Sequence, residues 1–260
     1  MPSKPTPRTL TVASSNHITP NMIRVTLKAD FIANFRAGIE GAHCKLFLPE
    51  PGQSNEAFKS QLENGPRPSV RTYTIRHVRP DWREIDIDFV DHGDSGPASA
   101  WARRATVGSI CGFAGPGPVK LSKFYADYYV IAVDMSAIPV AAATLEAMPR
   151  DAEGTAVFEI TSEEDKQSID APEGIEQHWV IHENPHVHST QAVTKIRSLL
   201  PFAGQVQTCI AGESSVVRAL REEIVNTRGI SKSDAYISGY WKIGLVEDEH
   251  QELKRQQSAP

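Results

Sequence analysis

Hydrophobic and polar positions divide the chain into two parts of different character. Up to about residue 122, short β-type runs alternate with glycine- and proline-rich turns, and the run from Ile85 to Phe89 alternates strictly between apolar and acidic side chains. A period of two is typical of a strand with one buried face. Several such strands in series predict a small antiparallel β-barrel over residues 1–122. The polar stretch 51–68 predicts a long surface loop.

Residues 123–245 contain apolar runs of strand length that alternate with helical patterns. The run from Tyr128 to Val133 is apolar throughout, as expected of a strand buried on both faces. The last helical pattern extends from about Ser214 to Thr227. This alternation predicts a parallel-sheet α/β domain of the nucleotide-binding type. In residues 246–260 acidic side chains precede basic ones, which predicts a helical tail.

Charge and cysteine content exclude several function classes. The 260 residues include 27 Lys and Arg against 32 Asp and Glu, a formal net charge of −5, so the chain lacks the cationic field that nucleic-acid backbones attract. The three cysteines are widely separated and form no C-x-x-C pattern, which favours reduced thiols in the cytoplasm. The longest apolar run has the length of a strand and is far shorter than a membrane span. We therefore expect a cytoplasmic protein without nucleic-acid binding or membrane insertion.

Two neighbouring motifs in the predicted barrel suggest a ligand with an aromatic ring and phosphates. Segment 71–74 offers a guanidinium for phosphate, an aromatic plane for stacking and a hydroxyl for a ring nitrogen. Such a tetrapeptide alone is more often an ordinary half-exposed strand. The glycine-rich loop 92–99, however, stands directly before a short helical pattern. Because backbone N–H groups at a helix N-terminus bind anions, this loop is predicted to hold a diphosphate.

Several motifs along the chain resemble one family when they are taken in order. They are Gly41-x-His43-x-Lys45-Leu46, Arg71-x-Tyr73-Thr74, His92-Gly93, Gly96-Pro97-Ala98-Ser99-x-Trp101-Ala102, Gly115-Pro116-Gly117, Ala211-Gly212-Glu213-Ser214-Ser215-x-Val217-Arg218 and Gly239-Tyr240-Trp241-Lys242-x-Gly244. The series spans about residues 8–245. It resembles the siderophore-interacting proteins, which are FAD-dependent ferric-siderophore reductases related to the ferredoxin-NADP reductase superfamily.

The resemblance implies an FAD-binding barrel, a second domain that receives NADH or NADPH, and reduction of ferric siderophores for intracellular iron release. It assigns FAD binding to Arg71, Tyr73, Thr74, His92, Gly93, Gly96, Ala98 and Ser99. Within that set, Tyr73 and Thr74 are expected to flank the reacting ring as the catalytic pair. Open α/β sheets bind ligands beyond the carboxyl ends of their strands, so donor contacts are expected where two predicted strands end, at Asp134, Ser136, Gly212, Glu213 and Ser214. Basic side chains for an anionic substrate are expected at Lys45, Arg103, Lys242, Lys254 and Arg255.

One block departs from the family pattern and keeps alternatives open. The family usually has Gly-Asp-Glu where this chain has Val133-Asp134-Met135, so a glycine that permits close backbone approach and a carboxylate are both lost. A ferredoxin- or flavodoxin-type reductase with a protein redox partner, with reduced ferredoxin as electron donor, is therefore a second hypothesis. A non-catalytic siderophore-binding protein is a third. Histidines four positions apart on a strand, as from His178 to His182 to His186, are too far apart for joint ligation. The closer pair, His186 and His188, follows Asn184-Pro185 and is predicted to lie in a loop, so no metal site is expected.

Overall fold

The computed structural model describes residues 7–199, 202, 204–231 and 234–245. The chain divides into two compact units between Val119 and Lys120. The predicted tail, with Lys254 and Arg255, lies outside the described residues. Among the described residues, no helix has the length and apolar character needed to cross a membrane.

The first unit is a closed antiparallel barrel of six strands, as the sequence predicts. Around the barrel the strand order is β1-β2-β5-β4-β3-β6, and β6 pairs back onto β1. The strands along the chain are β1 (Arg8–Thr19), β2 (Met22–Lys28), β3 (His43–Leu48), β4 (Ser69–Arg79), β5 (Glu84–Val90) and β6 (Ile110–Ala114).

Strand β5 shows how the barrel uses its alternating pattern. Its apolar side chains, from Ile85 to Phe89, are fully buried in the barrel core. The intervening Asp86 and Asp88 face the other way, yet each is only 4% exposed. Arg79 donates two hydrogen bonds to Asp86, and Arg24 donates two to Asp88, at distances of 2.7–2.8 Å. Both faces of the strand are therefore buried, the outer one by ion pairs.

The prediction of a surface loop over residues 51–68 is wrong at its centre, because the residues there form helix α1 (Asn55–Asn64). The Ser54 hydroxyl caps the helix by accepting a hydrogen bond from the Ala57 N–H at 3.2 Å. Phe58 is fully buried and packs in a cluster with Phe47. A single buried apolar residue leaves almost no helical periodicity, so the polar composition resembled that of a loop.

The second unit is a five-stranded parallel sheet with helices, which confirms the predicted α/β class. Its strand order is β11-β10-β7-β8-β9. The last strand was not predicted from the sequence, because its aromatic residues and glycine give no clear alternation. The elements are β7 (Tyr128–Asp134), α3 (Ile138–Ala147), β8 (Glu153–Ile160), β9 (Gly174–Ile181), α4 (Gln191–Ser198), β10 (Val206–Glu213), α5 (Ser214–Arg221) and β11 (Ala235–Trp241).

The sheet has one topological switch point. From β7 the chain first builds outwards through β8 and β9, and then returns to the other side of β7 with β10 and β11. The strand order therefore reverses between β7 and β10. Open parallel sheets bind ligands outside the carboxyl ends of the strands at such a point. Helix α5, which follows β10 directly, continues beyond Arg221 as a π-helical turn over Glu222–Thr227.

Candidate functional site

The loop after β5 is organised around the carboxylate of Asp91. Its Oδ1 atom accepts a hydrogen bond from the Gly93 N–H at 3.0 Å, and its Oδ2 atom lies 3.0 Å from His17 Nε2. Gly93 has a φ of +77°, a left-handed conformation that glycine adopts without strain. No role was predicted for Asp91 from the sequence, although an acidic residue directly before His-Gly at the end of a strand was a visible signal.

Hydrogen bonds and close packing shape the rest of this loop. The Ser99 hydroxyl donates to the Gly93 carbonyl at 2.7 Å, and the His92 N–H donates to Ser99 Oγ at 3.2 Å. The His92 ring lies against Gly96, where a Cβ atom would be only 2.6 Å from its Cε1 atom. The sequence-predicted residues of this loop are thus brought together in one compact turn.

The loop leads into helix α2 (Pro97–Arg104), whose N-terminus carries no side-chain cap and no acidic residue in its first turn. Pro97 stands at the start of the helix, and the small residues Ala98 and Ser99 follow it, both buried. A helix N-terminus has unpaired N–H groups and a partial positive charge. The end of α2 is therefore suited to an anion.

The β4 motif lies on the same core as α2. The Tyr73 ring centroid is 4.3 Å from that of Phe89, and Phe89 is 5.7 Å from Trp101 of α2. Thr74 is 7% exposed and, by strand alternation, points to the opposite face from Tyr73. Arg71 is half-buried, and its guanidinium donates to the Val70 carbonyl at 2.8 Å.

The basic residues predicted to attract substrate have different surroundings. Lys45 is exposed on β3, opposite Thr72 of β4. The Arg103 guanidinium is held by acids, 3.4 Å from Asp91 Oδ1 and 3.8 Å from Asp94 Oδ1. Lys242 is partly exposed directly after β11. Among the described residues, no group of three or more His, Cys, Asp or Glu side chains is placed to hold a metal ion.

In the second unit, Asp134 joins the ends of three strands. Its Oδ1 atom accepts hydrogen bonds from the Ser136 N–H at 2.9 Å and the Ser136 hydroxyl at 2.5 Å. Its Oδ2 atom accepts the Glu213 N–H at 2.7 Å and the Trp241 indole N–H at 2.8 Å. Burial raises the pKa of Asp134, and these hydrogen bonds oppose the rise. A Cβ atom on Gly212 would lie 2.5 Å from this carboxylate.

Glu213 caps the N-terminus of α5. Its Oε2 atom accepts the Ser215 N–H at 2.6 Å, the Val216 N–H at 3.1 Å and the Ser215 hydroxyl, while Oε1 accepts the Ile243 N–H at 3.3 Å. Burial alone would raise the pKa of Glu213, but these hydrogen bonds lower it below its ordinary value. Glu213 is therefore a charged cap at neutral pH.

Ser214 completes the group of predicted donor contacts. Its hydroxyl donates to the Trp241 carbonyl at 2.8 Å, and Gly239 makes room for it, because a Cβ atom there would lie 2.5 Å from Ser214 Oγ. The structure thus brings Asp134, Ser136, Gly212, Glu213 and Ser214 to one edge of the sheet. Their carboxylate and hydroxyl groups are largely bonded to one another and to neighbouring strands.

Comparisons with known proteins agree across both units. A family model described as "Siderophore-interacting FAD-binding domain" matches residues 11–120, and one described as "Siderophore-interacting protein" matches residues 126–244. The ferric vibriobactin reductase of Vibrio cholerae is 31% identical over 254 residues, which cover 95% of this chain and 93% of the reductase. The ferric acinetobactin reductase of Acinetobacter baumannii is 28% identical over 212 residues, which cover 80% of this chain and 74% of that reductase.

Solved structures give the same result. The siderophore-interacting protein SipS from Aeromonas hydrophila superposes with a TM-score of 0.84 at 31% identity, over 97% of this chain and 98% of that one. The ferredoxin-NADP+ reductase of Plasmodium falciparum shares the fold, with a TM-score of 0.66 at 13% identity over 90% and 96% of the two chains. With matches over both units and to a full-length relative, the chain belongs to the siderophore-interacting protein family.

Proposed function

We propose that this protein reduces Fe(III) held in siderophores, with FAD as its resident cofactor and NADH or NADPH as the electron donor. The observation that carries the proposal is the match of an FAD-binding family model to residues 11–120, together with the two ferric-siderophore reductases among the relatives. The fold shared with a ferredoxin-NADP+ reductase supports a nicotinamide donor. The three free cysteines, all buried, support a reducing compartment, so we place the reaction in the cytoplasm.

The residues of the barrel fit an FAD. The N-terminus of α2 is uncapped, and its first turn consists of small residues that permit close approach of a diphosphate. Gly93 and Gly96 keep the loop compact. Gly93 has a positive φ, and a Cβ atom on Gly96 would collide with the His92 ring. Arg71 would add a cation for phosphate, while Tyr73 and Thr74 would flank the ring.

FAD supplies the ability to accept a hydride and to pass electrons on singly. One hydride carries two electrons, so two ferric complexes are reduced for each hydride transferred. Hard oxygen ligands hold Fe(III) more tightly than Fe(II), since the lower charge weakens the attraction between ion and ligand. Reduction therefore loosens the complex. Lys45, Arg103 and Lys242 would raise the local concentration of anionic complexes, and Lys254 and Arg255 are further candidates.

A spectroscopic experiment tests the proposal without a nicotinamide donor. We expect the purified protein to be yellow, to bleach on photoreduction, and to regain its flavin absorbance when a ferric hydroxamate or catecholate complex is added anaerobically. The Ga(III) complex of the same ligand is the control, because it has the same charge but no accessible reduction. A colourless protein that refuses added FAD would overturn the proposal. Affinity for the ferric complex without reoxidation would favour a siderophore-binding protein.

Substitution of Arg71 tests its assignment to the FAD phosphates. Arg71→Gln removes a charge-assisted hydrogen bond that is typically worth about 1.5–3 kcal/mol, so we expect FAD affinity to fall by at least 10-fold. Arg67→Gln is the matched control, since Arg67 is exposed near the start of the same strand and its guanidinium lies 5.9 Å from the Phe47 ring. Equal FAD affinity in the two variants would remove Arg71 from the site.

A comparison of donors distinguishes the proposed reductase from one with a protein redox partner. NADH, NADPH and reduced ferredoxin are each mixed with the oxidised protein, and flavin bleaching is followed in a stopped-flow instrument. Faster reduction of the flavin by NADH or NADPH than by ferredoxin supports the proposal. Reduction by ferredoxin alone would favour the second hypothesis.

A further inference from the structure

One carboxylate of the first unit adjoins the loop proposed to hold the FAD diphosphate, and the proposed function gives it no role. Asp91 follows β5 directly, and its side chain is only 13% exposed. Its backbone N–H donates to the Asn21 carbonyl at 2.9 Å, which fixes the residue to the turn between β1 and β2. By charge alone, an acid beside an anion site is unfavourable, because like charges repel.

The Asp91 carboxylate connects this loop to β1 and to α2. Its Oδ1 atom accepts the Gly93 N–H at 3.0 Å and lies 3.4 Å from a guanidinium nitrogen of Arg103, in the last turn of α2. Its Oδ2 atom lies 3.0 Å from His17 Nε2 on β1. Burial alone would raise the pKa of Asp91, but the Gly93 N–H, His17 and Arg103 hold it below its ordinary value. Asp91 is therefore charged at neutral pH, and its charge is directed at these partners.

The contact between Asp91 and Gly93 sets the position of the loop relative to the start of α2. Gly93 has a φ of +77°, and its carbonyl accepts the Ser99 hydroxyl at 2.7 Å while its N–H is held by Asp91. Ser99 belongs to the first turn of α2, whose N–H groups are those suited to a diphosphate. The carboxylate thus fixes one side of the proposed diphosphate position through the backbone of Gly93.

Charge and positioning predict opposite results when this carboxylate is removed. If Asp91 acted only as a negative charge near the diphosphate, its removal would strengthen FAD binding. If Asp91 holds the loop, its removal lets the loop adopt other conformations, and the apparent affinity falls with the fraction that remains competent to bind. Asp94 of the same loop provides the comparison, because its side chain is 68% exposed and its carboxylate lies 3.8 Å from Arg103 and 3.7 Å from Arg104.

We propose that Asp91 is a positioning residue for FAD, which holds the loop in its binding conformation through the Gly93 N–H before FAD binds, and which His17 and Arg103 anchor in turn. Preorganisation of this kind raises affinity, because less conformational freedom is lost on binding. The inference rests on the proposed reductase function, since FAD is the cofactor of that function. It predicts that FAD affinity depends on a side chain that the diphosphate itself would repel.

The first experiment measures FAD affinity, by quenching of flavin fluorescence, in the full chain from which FAD has been removed. We expect Asp91→Leu to bind FAD about 10-fold more weakly, as for a loop that is competent about a tenth of the time. Asp91→Asn loses the charge but keeps an oxygen that can accept the Gly93 N–H, so we expect a smaller loss, about two- to threefold. Asp94→Asn is the matched control and should show no loss. FAD binding in Asp91→Leu as tight as in the wild type, or tighter, would overturn the proposal.

The second experiment distinguishes positioning of the loop from support of the whole barrel. Hydrogen exchange, read by mass spectrometry, is compared between the FAD-free wild type and Asp91→Leu. We expect faster exchange in the peptide that contains Gly93 and unchanged exchange in the peptides of β3 and β6, because loss of a local contact opens the structure locally. Faster exchange throughout the barrel would overturn the assignment, since Asp91 would then stabilise the fold rather than the loop.

The outcomes separate this inference from the proposed function. FAD affinity is measured on the oxidised protein without donor or ferric complex, so it does not depend on reductase activity. A loss in Asp91→Leu without a loss in Asp94→Asn would support the role of Asp91, even for a protein whose flavin reduces no ferric complex. Such a failure of the reduced flavin would overturn the proposed function and leave the measured affinities intact.

Discussion

The ion pairs on the outer face of β5 make one prediction about how the barrel is stabilised. The Asp86 carboxylate accepts two hydrogen bonds from Arg79 at 2.7 Å and one from the Thr26 hydroxyl at 2.8 Å, and it lies 2.9 Å from His77 Nδ1. These partners come from β2 and β4, the two neighbours of β5. Asp86→Asn keeps the shape of the side chain and removes its charge.

The structure sets the expected size of the effect. Removing one partner of a fully buried ion pair typically costs about 3–5 kcal/mol. Arg79 is partly exposed and keeps a second partner, Glu84, at 3.2 Å, so we expect the lower part of that range or slightly less, about 2–3 kcal/mol. Asp30→Asn is the matched control, because the Asp30–Arg83 pair has the same 2.7 Å distance but side chains that are 91% and 59% exposed. Loss of an exposed pair costs roughly 0–1 kcal/mol.

Hydrogen exchange in urea, read by mass spectrometry, measures the two units separately. For an m-value of about 1–3 kcal/mol per molar urea, a loss of about 2–3 kcal/mol lowers the urea midpoint of unfolding of the barrel peptides by roughly 0.7–3 M. Peptides from the second unit should be unchanged. Equal midpoints for Asp86→Asn and Asp30→Asn would refute the reasoning, because burial would then not decide the strength of the pair.

The same side chain predicts how barrel stability depends on pH. Burial alone would raise the pKa of Asp86, but hydrogen bonds from Arg79, His77 and Thr26 hold it well below its ordinary value. A depressed pKa in the folded state stabilises the protein above the unfolded-state pKa, near 3.9, and this contribution is lost as the pH falls further. The difference in stability between wild type and Asp86→Asn should therefore narrow as the pH falls below about 4. A difference that grows on acidification below about pH 4 would contradict this assignment.

Three further predictions concern other parts of the chain. Burial raises the pKa of the Cys44 and Cys209 thiols to about 12, and it raises the pKa of the Cys111 thiol as well. All three should therefore resist alkylation by iodoacetamide at pH 8 in the native protein and react only when it is unfolded. Gly154→Ala should destabilise the sheet of the second unit, because the added Cβ atom would lie 2.3 Å from the Tyr129 carbonyl oxygen. A urea midpoint for this unit equal to that of the wild type would contradict this prediction. Ser54→Ala should cost about 1 kcal/mol through loss of the α1 cap, seen as faster exchange in that helix alone.

The two-part architecture and the positions of most strands could be recognised from the amino-acid sequence alone. Strand burial imposes local patterns, such as the alternation from Ile85 to Phe89 and the continuous apolar run from Tyr128, and these can be recognised without knowing the fold. The order of short motifs was sufficient to identify the family. Helix α1 was missed, since Phe58 is its only fully buried side chain.

The contacts of the polar side chains, in contrast, depend on how the fold brings distant strands together. Asp134 and the Glu213 N–H are 79 positions apart in the chain, so no local pattern could predict that they bond to each other. The sequence equally could not show that Asp86 and Asp88 are buried, because their arginine partners come from neighbouring strands. Hydrophobic periodicity is a local property of the chain, whereas the pairing of charges depends on which strand ends the fold brings side by side.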